Sequence, residues 1–472
     1  MISNLPIVTI YITNFNYSKY ITKAIESALN QTYENIEILI IDDGSTDNSV
    51  EIINNYSTNP KITPLFKRNE GLLAACNTAL YSAKGEYILR LDADDWLDEN
   101  IISVFVNKMQ KDKQIEILFP DYYEVDQDGN ILNTFRRHNF DEVNLHDQSA
   151  HGACTMFKTK TLIDMGGYDE YFECQDGVDI WLRFIKKFKV SNINIPLFYY
   201  RKHESSLTRK EQKILKNRTK ILEKNSNETD GTTVAIIPIR GKKYDIHSNA
   251  FHKINDKPLL QWKIDSLLKS KKIEKIIITS PDEEVLEYID KQKNPKLLAY
   301  FRDAKLANPS VLLDQSIQAA LDLYKKEFNS EPEFSLLAKI SSPFINYKHY
   351  DNAINSMKIF NTDMIVAVSH ENSTVYIHNG NTMKPLNKSD YNKIKIDDKR
   401  YIKINIESQQ LYVETGNFLV LRNNSLEDYA NFEKLKVGHE ILNGLSKFEI
   451  NDELTLKLAK FISKNIYNDY SG

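Results

Sequence analysis

Cysteine is nearly missing from this 472-residue chain. The three that occur, Cys76, Cys154 and Cys174, are far apart and lack metal-ligand spacing. That argues against a disulfide framework and fits free thiols in a reducing compartment. Long apolar runs are missing as well. None approaches about 18 residues, so no transmembrane helix is expected. The opening MISNLPIVTIYITNFN has no basic segment leading into a long apolar one, so no signal peptide is expected. Charge of one sign is not in excess: 61 Lys and Arg are intermixed with 65 Asp and Glu. The formal net charge of −4 argues for neither nucleic acid nor a polybasic membrane patch. No short internal repeat is visible. What is present, 41% hydrophobic and 27% charged residues, suits sizeable cores, and the length exceeds one of them. A cytoplasmic, two-domain protein is expected.

Short apolar runs alternate with amphipathic stretches, the pattern of strand–helix–strand units on a largely parallel sheet. Ile7 to Ile12 is a β-branched run. YSKYITKAIESALNQ puts Ile21, Ala24, Ile25, Ala28 and Leu29 at helical spacing, with Ser18 as the N-cap. IEILIIDDGSTD reads as a buried strand, Ile36 to Ile41, entering a turn rich in Asp, Gly and Ser. Asn69 to Ala83 reads as a helix, and Tyr87 to Leu91 as a strand that ends on Asp92. Helical spacing from Lys210 to Leu222 gives way to KNSNETDGT, residues 224–232, the best linker candidate. The alternation then restarts with strand 233–238, helix 258–270, strand 275–280 and helix 282–291. The predicted organisation is one α/β domain over 1–224, a linker over 225–232 and a second α/β domain over 233–472.

LRLDADDWLDEN is the most informative stretch. A strand delivers Asp92 and Asp94 at its carboxyl end, where ligands bind in open α/β sheets. Two carboxylates flanking one small residue can meet a hard divalent cation, Mg²⁺ or Mn²⁺, that also touches a diphosphate. A solvated acidic turn is the competing reading.

Residues 5 to 210 resemble the family 2 glycosyltransferases of GT-A fold. Four ordered blocks carry the resemblance: VTIYITNFNYSKYITKAIESALNQTYENIEILIIDDGSTD, NEGLLAACNTALYSAKGEYILRLDADDW, GGYDEYFECQDGVDIWLRF and YYRKHESSLT. It implies that Thr13, Phe15 and Asp43 hold the nucleoside of a nucleotide-sugar donor. Phe15 stands where the family often has Tyr, and Cys76 where it usually has Arg. Arg68 either reaches the donor or is only solvated. Asp92 is expected near ribose or metal, Asp94 as the direct metal ligand, and Asp95 in a structural role. Asp176 is the implied general base, with Gln175 in place of a neighbouring acid, which removes one negative charge beside it. Asp179, Trp181 and Arg183 read as helix start and packing. Gly152 to Phe157 and Gly166-Gly167 are expected to shape the acceptor side. His203 either reaches the metal or diphosphate or is a surface histidine.

More thinly, residues 233 to 465 resemble the acylneuraminate cytidylyltransferases, which make CMP-activated acidic sugars from CTP. The matching pieces include AIIPIRG, DKPLLQWKIDSLLKS, IEKIIITSPDEEV, FRDAKLA, SSPFINYKHYDNAI, TGNFLVLRNNSL and FEINDELTLKLAKF. The family's loop reads Arg-Gly-Gly-Ser-Lys, then Ile-Pro-Arg-Lys-Asn. Here Arg240, Gly241 and Ile246 remain, Lys242 replaces the second Gly and Tyr244 the Lys, and His247 to Ala250 replace the last four residues. A side chain at 242 hinders close backbone approach to phosphate, and a phenol at 244 cannot offset its charge. Lys242, Lys243 and His252 could compensate in part. Ile345 stands where the family has Arg, and Phe448-Glu449-Ile450-Asn451 where it has a metal-binding Ile-Asp-Ile-Asp. Arg240, Arg302 and Thr415 to Phe418 are the remaining candidate ligand or subunit contacts.

The expected architecture is two Rossmann-like nucleotide-sugar domains in tandem. The expected function is inverting, metal-dependent transfer from a nucleotide sugar to a hydroxyl acceptor in bacterial surface-glycan synthesis. The second domain is expected to be non-catalytic, serving homodimerisation or ligand and partner binding. Two other readings stay open at this point: a bifunctional enzyme that also activates an acidic sugar with CTP, and a non-catalytic sugar-binding scaffold.

Overall fold

The computed structural model describes residues 5–143, 145–203, 211–226, 231–241, 250–308, 313–370, 376–378, 383–385, 391–397, 400–405, 412–429 and 431–466. The chain divides into two compact units, one of Met1–Asn217 with Asn372–Gln410, the other of Arg218–Glu371 with Leu411–Gly472.

The first unit opens as four strands joined by three helices: β1 (Val8–Asn14), α1 (Ile21–Leu29), β2 (Ile36–Asp42), α2 (Ser49–Asn55), β3 (Ile62–Phe66), α3 (Leu72–Ser82) and β4 (Tyr87–Asp92). There follow β5 (Trp96–Leu97), α4 (Ile101–Lys111), β6 (Ile115–Val125), β7 (Ile131–Phe135), β8 (Met156–Lys158), α5 (Thr159–Asp164), α6 (Asp176–Phe184), β9 (Lys189–Arg201) and α7 (Glu211–Asn225). The sheet order is β3-β2-β1-β4-β8-β6-β9-β5, with β7 on β6. The four strands β3, β2, β1 and β4 are parallel. Every residue of β1 is buried, as a central parallel strand covered on both faces requires. Ile10, Ile12, Ile38 and Ile40 pack against Ile21, Ala24, Ile25 and Ala28 of α1. Each such isoleucine contributes roughly 1.5–3 kcal/mol by leaving water.

Ser18 is not the N-cap. Tyr17 O takes the N–H groups of Tyr20 and Ile21 in a turn, so Tyr20 caps α1, while Ser18 N donates 2.9 Å to Asp47. The predicted helix 210–222 extends further, because α7 continues to Asn225 before the residues left out of the description.

The second unit repeats the opening. It runs β10 (Thr233–Pro238), a two-residue hairpin of β11 (Lys253–Ile254) and β12 (Lys257–Pro258), α8 (Leu259–Leu268), β13 (Lys275–Ser280), α9 (Glu283–Asp290), β14 (Leu297–Phe301), α10 (Leu313–Phe328) and β15 (Phe334–Ala338). Then come α11 (Tyr347–Phe360) and β16 (Met364–His370). Residues 372–410, which group with the first unit, carry two antiparallel pairs, β17 (Tyr376–His378) with β18 (Met383–Pro385), and β19 (Tyr391–Asp397) with β20 (Arg400–Asn405). The chain closes with β21 (Tyr412–Arg422), β22 (Val437–Ile441) and α12 (Glu453–Asn465). The sheet order is β14-β13-β10-β15-β21-β16-β22, parallel from β14 to β15 and antiparallel at β21. β10 alternates as a strand must. Ala235 and Ile237 face Leu260 and Ile264 of α8, whereas Val234 and Ile236 face Ile317 and Leu321 of α10. Among the described residues, no helix is long and apolar enough to cross a membrane.

Candidate active site

Parallel β1, β2 and β4 end at one edge of the first sheet, where Thr13 is in register with Asp92 and Asn14 with Asp42. Thr13 Oγ1 donates to Asp92 Oδ1 at 3.1 Å, and Asn14 Nδ2 to Asp42 Oδ2 at 2.7 Å. Asp42 also accepts Ser45 N at 2.9 Å, so it builds its own turn. Asp43 instead reaches across to the entry of α3, accepting Glu70 N at 3.0 Å and Gly71 N at 2.8 Å. Phe15 beside it is 42% exposed, leaving a ring face for stacking. Arg68 is exposed as well. Its neighbour Lys67 lies 3.6 Å from Asp43, a cation the sequence reading missed because adjacent basic residues look alike in a loop.

One carboxylate oxygen from each of Asp92, Asp94 and Asp95 lies within 4.8 Å of the others. Asp95 accepts Arg201 N at 2.8 Å through Oδ1, while its Oδ2 is buried without a hydrogen-bond partner. Burial, then Asp94 and Asp92, push its carboxyl well above the usual range. An orphaned oxygen in a trio of hard donors is what a divalent cation would satisfy, so the residues fit one. Asp95 therefore combines its expected structural bond with a place among the candidate ligands. His203 Nε2 lies 2.8 Å from Asp94 Oδ2 and its ring stacks on Tyr20, so it is a buried partner of Asp94 and not a surface residue. Arg201 Nε donates to Asp94 O at 2.8 Å, which ties β9 to the acidic turn.

Asp176 is the first residue of α6, and Gln175 before it holds a left-handed φ of 66°. The carboxylate accepts Arg90 Nη1 at 2.6 Å, and the same guanidinium grips Asp92 through Nε at 2.7 Å and Nη2 at 3.0 Å. Arg90 is 4% exposed. Burial opposes its charge, but Asp92 and Asp176 outweigh this and hold it firmly protonated. The sequence signal was a lone arginine in the strand YILRLD, since a buried charge needs a partner. Gly152 closes the other side: a Cβ there would stand 3.0 Å from Asp176 Oδ2. Gly167, at φ 64°, approaches Asn77 so closely that a Cβ would lie 2.7 Å from its Oδ1. Asp179 pairs with Arg183 at 2.9 Å, and Arg183 caps the carbonyls of Met165 and Gly167, as packing residues do.

In the second unit Arg302 is buried, donating through Nη2 to Ile239 O at 2.5 Å and through Nη1 to Ser316 Oγ at 3.3 Å. Burial and nearby Arg240, itself exposed, push it down to about 10. Residues 242–249, with the altered loop positions Lys242 to Asn249, lie outside the described residues. Ile345 is a core residue. Phe448 and Ile450 pack beside a second core, and Glu449 accepts Ser341 Oγ at 2.9 Å. Asn417 and Phe418 of the TGNF segment are buried in β21, where Asn417 Nδ2 donates to Ser446 O at 2.9 Å. Those two side chains therefore serve the sheet and do not form an open contact surface.

The Glycosyl transferase family 2 model matches residues 9–166, and the Cytidylyltransferase model matches residues 234–438. Chondroitin synthase of Pasteurella multocida (strain Pm70) is 24% identical over 475 residues, 99% of this chain and 44% of that protein. Hyaluronan synthase of Pasteurella multocida is 32% identical over 195 residues, 41% of this chain and 20% of that one. An uncharacterized glycosyltransferase of Haemophilus influenzae is 39% identical over 131 residues, 27% of this chain and 52% of its own. This chain thus spans less than half the length of the two synthases. Among solved structures, S. aureus TarS 1-349 with UDP-GlcNAc aligns at 16% identity over 46% of this chain and 65% of that one, with a TM-score of 0.38. Residues 9–166 thus match the family 2 glycosyltransferases and residues 234–438 the cytidylyltransferases, the two-part resemblance read from the sequence.

Proposed function

We propose that the first unit transfers a sugar from a nucleotide-sugar donor to a hydroxyl acceptor with inversion, in the assembly of a bacterial surface polysaccharide. The observation that carries this reading is the convergence of two acidic groups: the Asp92–Asp94–Asp95 trio, and Asp176 fixed on the far side of Arg90. Thr13, Phe15, Asp43, Arg68 and Asp92 hold the nucleotide. Asp94 and Asp92, joined by Asp95, hold a divalent cation, with His203 orienting Asp94. When bound there, that cation offsets charge on the departing nucleoside diphosphate. Asp176 takes the proton of the acceptor hydroxyl as its oxygen attacks the anomeric carbon. The bond from that carbon to the diphosphate breaks on the opposite face, and the electron pair leaves with the diphosphate. A base on one face and a leaving group on the other give inversion.

The relatives that synthesise chondroitin and hyaluronan support the polysaccharide setting. The second unit is non-catalytic in this reading and serves dimerisation or ligand and partner binding, with Arg240 and Arg302 its remaining candidate contacts. The deciding experiment incubates the full chain with a panel of nucleotide sugars, with and without Mn²⁺, and measures nucleoside diphosphate release. Cation-dependent release from one donor supports the reading. Absence of release from every donor, together with no cation-dependent binding of UDP or GDP, overturns it.

A further inference from the structure

Arg90 takes no part in the chemistry just described, yet it touches both of its halves. Its Nε and Nη2 grip the two oxygens of Asp92 at the donor end of β4, while Nη1 holds Asp176, 86 positions along the chain at the start of α6. Cys76 of α3 flanks this cluster. It is fully buried, and burial pushes its thiol up to about 12 while Arg90, Asp176 and Asp92 all act on it. The Tyr11–Tyr168 hydroxyl pair, 2.6 Å apart, lies beside the same group, since Arg90 acts on both phenols. Gly152 brings backbone against the remaining side, where a Cβ would stand 3.4 Å from Arg90 Nη1. The guanidinium is therefore enclosed, and among the described residues its carboxylate partners are the donor-side and base-side acids.

We propose that Arg90 is a positioning residue that fixes the distance between Asp92 and Asp176. This rests on the reading of Asp92 as donor-side and Asp176 as base. In-line displacement needs the attacking oxygen and the leaving group held at one separation, and a misplacement of about 1 Å costs about 10²-fold in rate. A planar guanidinium with three engaged nitrogens can set that separation. An ammonium cannot, because it is a point charge on a flexible stem and meets one carboxylate well at a time.

The test uses the full chain with Mn²⁺ and the UDP- or GDP-sugar that supports the fastest release, comparing wild type, Arg90→Lys and Asp176→Asn. Arg90→Lys keeps a buried positive charge, so it is the variant chosen to fold. Its expected behaviour is unchanged stoichiometry of nucleoside diphosphate binding, a donor KM within about threefold of wild type and a kcat lower by about 10²-fold. A wild-type kcat in Arg90→Lys, or a loss seen only as fewer binding-competent molecules, overturns the proposal. Full activity in Asp176→Asn overturns the base assignment instead, and with it the basis of the proposal, whatever Arg90→Lys shows.

Discussion

The two sheets begin alike and end differently. In each, four parallel strands follow the order third, second, first, fourth, and an antiparallel strand comes next: β8 beside β4, and β21 beside β15. At the carboxyl ends of the first set stand Thr13, Asp42, Asp43, Asp92, Asp94 and Asp95, with Thr13 bonded to Asp92, Asn14 to Asp42 and the last three acids clustered. At the corresponding ends of the second stand Pro238, Ser280 and Ala338, with Arg302 turned to the carbonyl of Ile239. The buried faces that make the fold are equivalent, whereas the strand ends that make a site are not. Fold and site are therefore separable: the first depends on periodic burial along whole strands, the second on a few residues where strands stop.

That contrast is broken or sharpened most by removing the carboxylates of the first unit. Asp94→Ala deletes the best-placed cation ligand and the partner of His203, and is expected to lower cation-dependent nucleoside diphosphate release by about 10³-fold or more. Near-wild-type turnover would show that Asp94 serves a structural turn and that the chemistry does not depend on the trio. Asp176→Asn keeps the shape of the Arg90 contact but removes the proton acceptor, and a loss of about 10²–10⁴-fold in kcat is expected. Steady-state assays with donor KM measured alongside would separate lost chemistry from lost binding, because KM should stay near wild type. His203→Ala removes the ring that bonds Asp94 and should cost less, about 10–100-fold, with apparent Mn²⁺ affinity as the readout.

How much of this could be read beforehand follows from the same distinction. Strands 233–238 and 275–280 match the sequence reading residue for residue, because Val234, Ile236, Ile276 and Ile278 repeat with the period of a strand. Ser18 misled because it has the chemistry of a cap, but Asp47, 29 positions away, holds its N–H. The site was legible where neighbours in sequence are neighbours in space, as in Asp92, Asp94 and Asp95. It was not legible where a contact joins distant segments. Arg90 to Asp176, Arg201 to Asp95 and Asp43 to Gly71 each span 28 residues or more. No local period encodes such pairs; only the rule that a buried charge must find a partner points to them.

A smaller effect tests the second unit's core. Lys263 lies on the buried side of α8 with no exposed surface, donating to Tyr350 Oη at 3.1 Å. Burial pushes its amine down to about 7, with the Glu449 carboxylate opposing. Between that value and its ordinary value near 10.5 the unfolded chain binds more protons than the folded one. Stability tied to Lys263 therefore rises with pH across this window, is fully present above it and is lost as pH falls through about 7. Lys263→Met removes the penalty and should raise Tm by about 2–4 °C at pH 7, the shift that about 1 kcal/mol produces in a domain of this size. The gain should vanish by about pH 10.5, as thermal melts across that range would show. A gain independent of pH would mean that Lys263 keeps its ordinary pKa in the fold and that the gain comes from packing alone.

The smallest expected effect bears most directly on the comparison. Were the second set of strand ends still a nucleotide site, CTP with Mg²⁺ at about 100 times its Kd would stabilise the fold by about 2.7 kcal/mol. That corresponds to a Tm rise of roughly 5–10 °C. The described residues argue for almost none. Arg302 spends its guanidinium on a backbone carbonyl and a serine, Ile345 is sealed in the core, and Glu449 is the one carboxylate left in its segment, already accepting from Ser341. A divalent cation held by one engaged carboxylate is weakly held, and a triphosphate without that cation meets few compensating charges. A shift below about 1 °C at 1 mM CTP, read beside the shift that UDP or GDP with Mn²⁺ gives through the first unit, keeps the contrast. A CTP-dependent rise of several degrees in Asp94→Ala, where the first site is disabled, would place a working nucleotide site in both sheets and reopen the bifunctional reading.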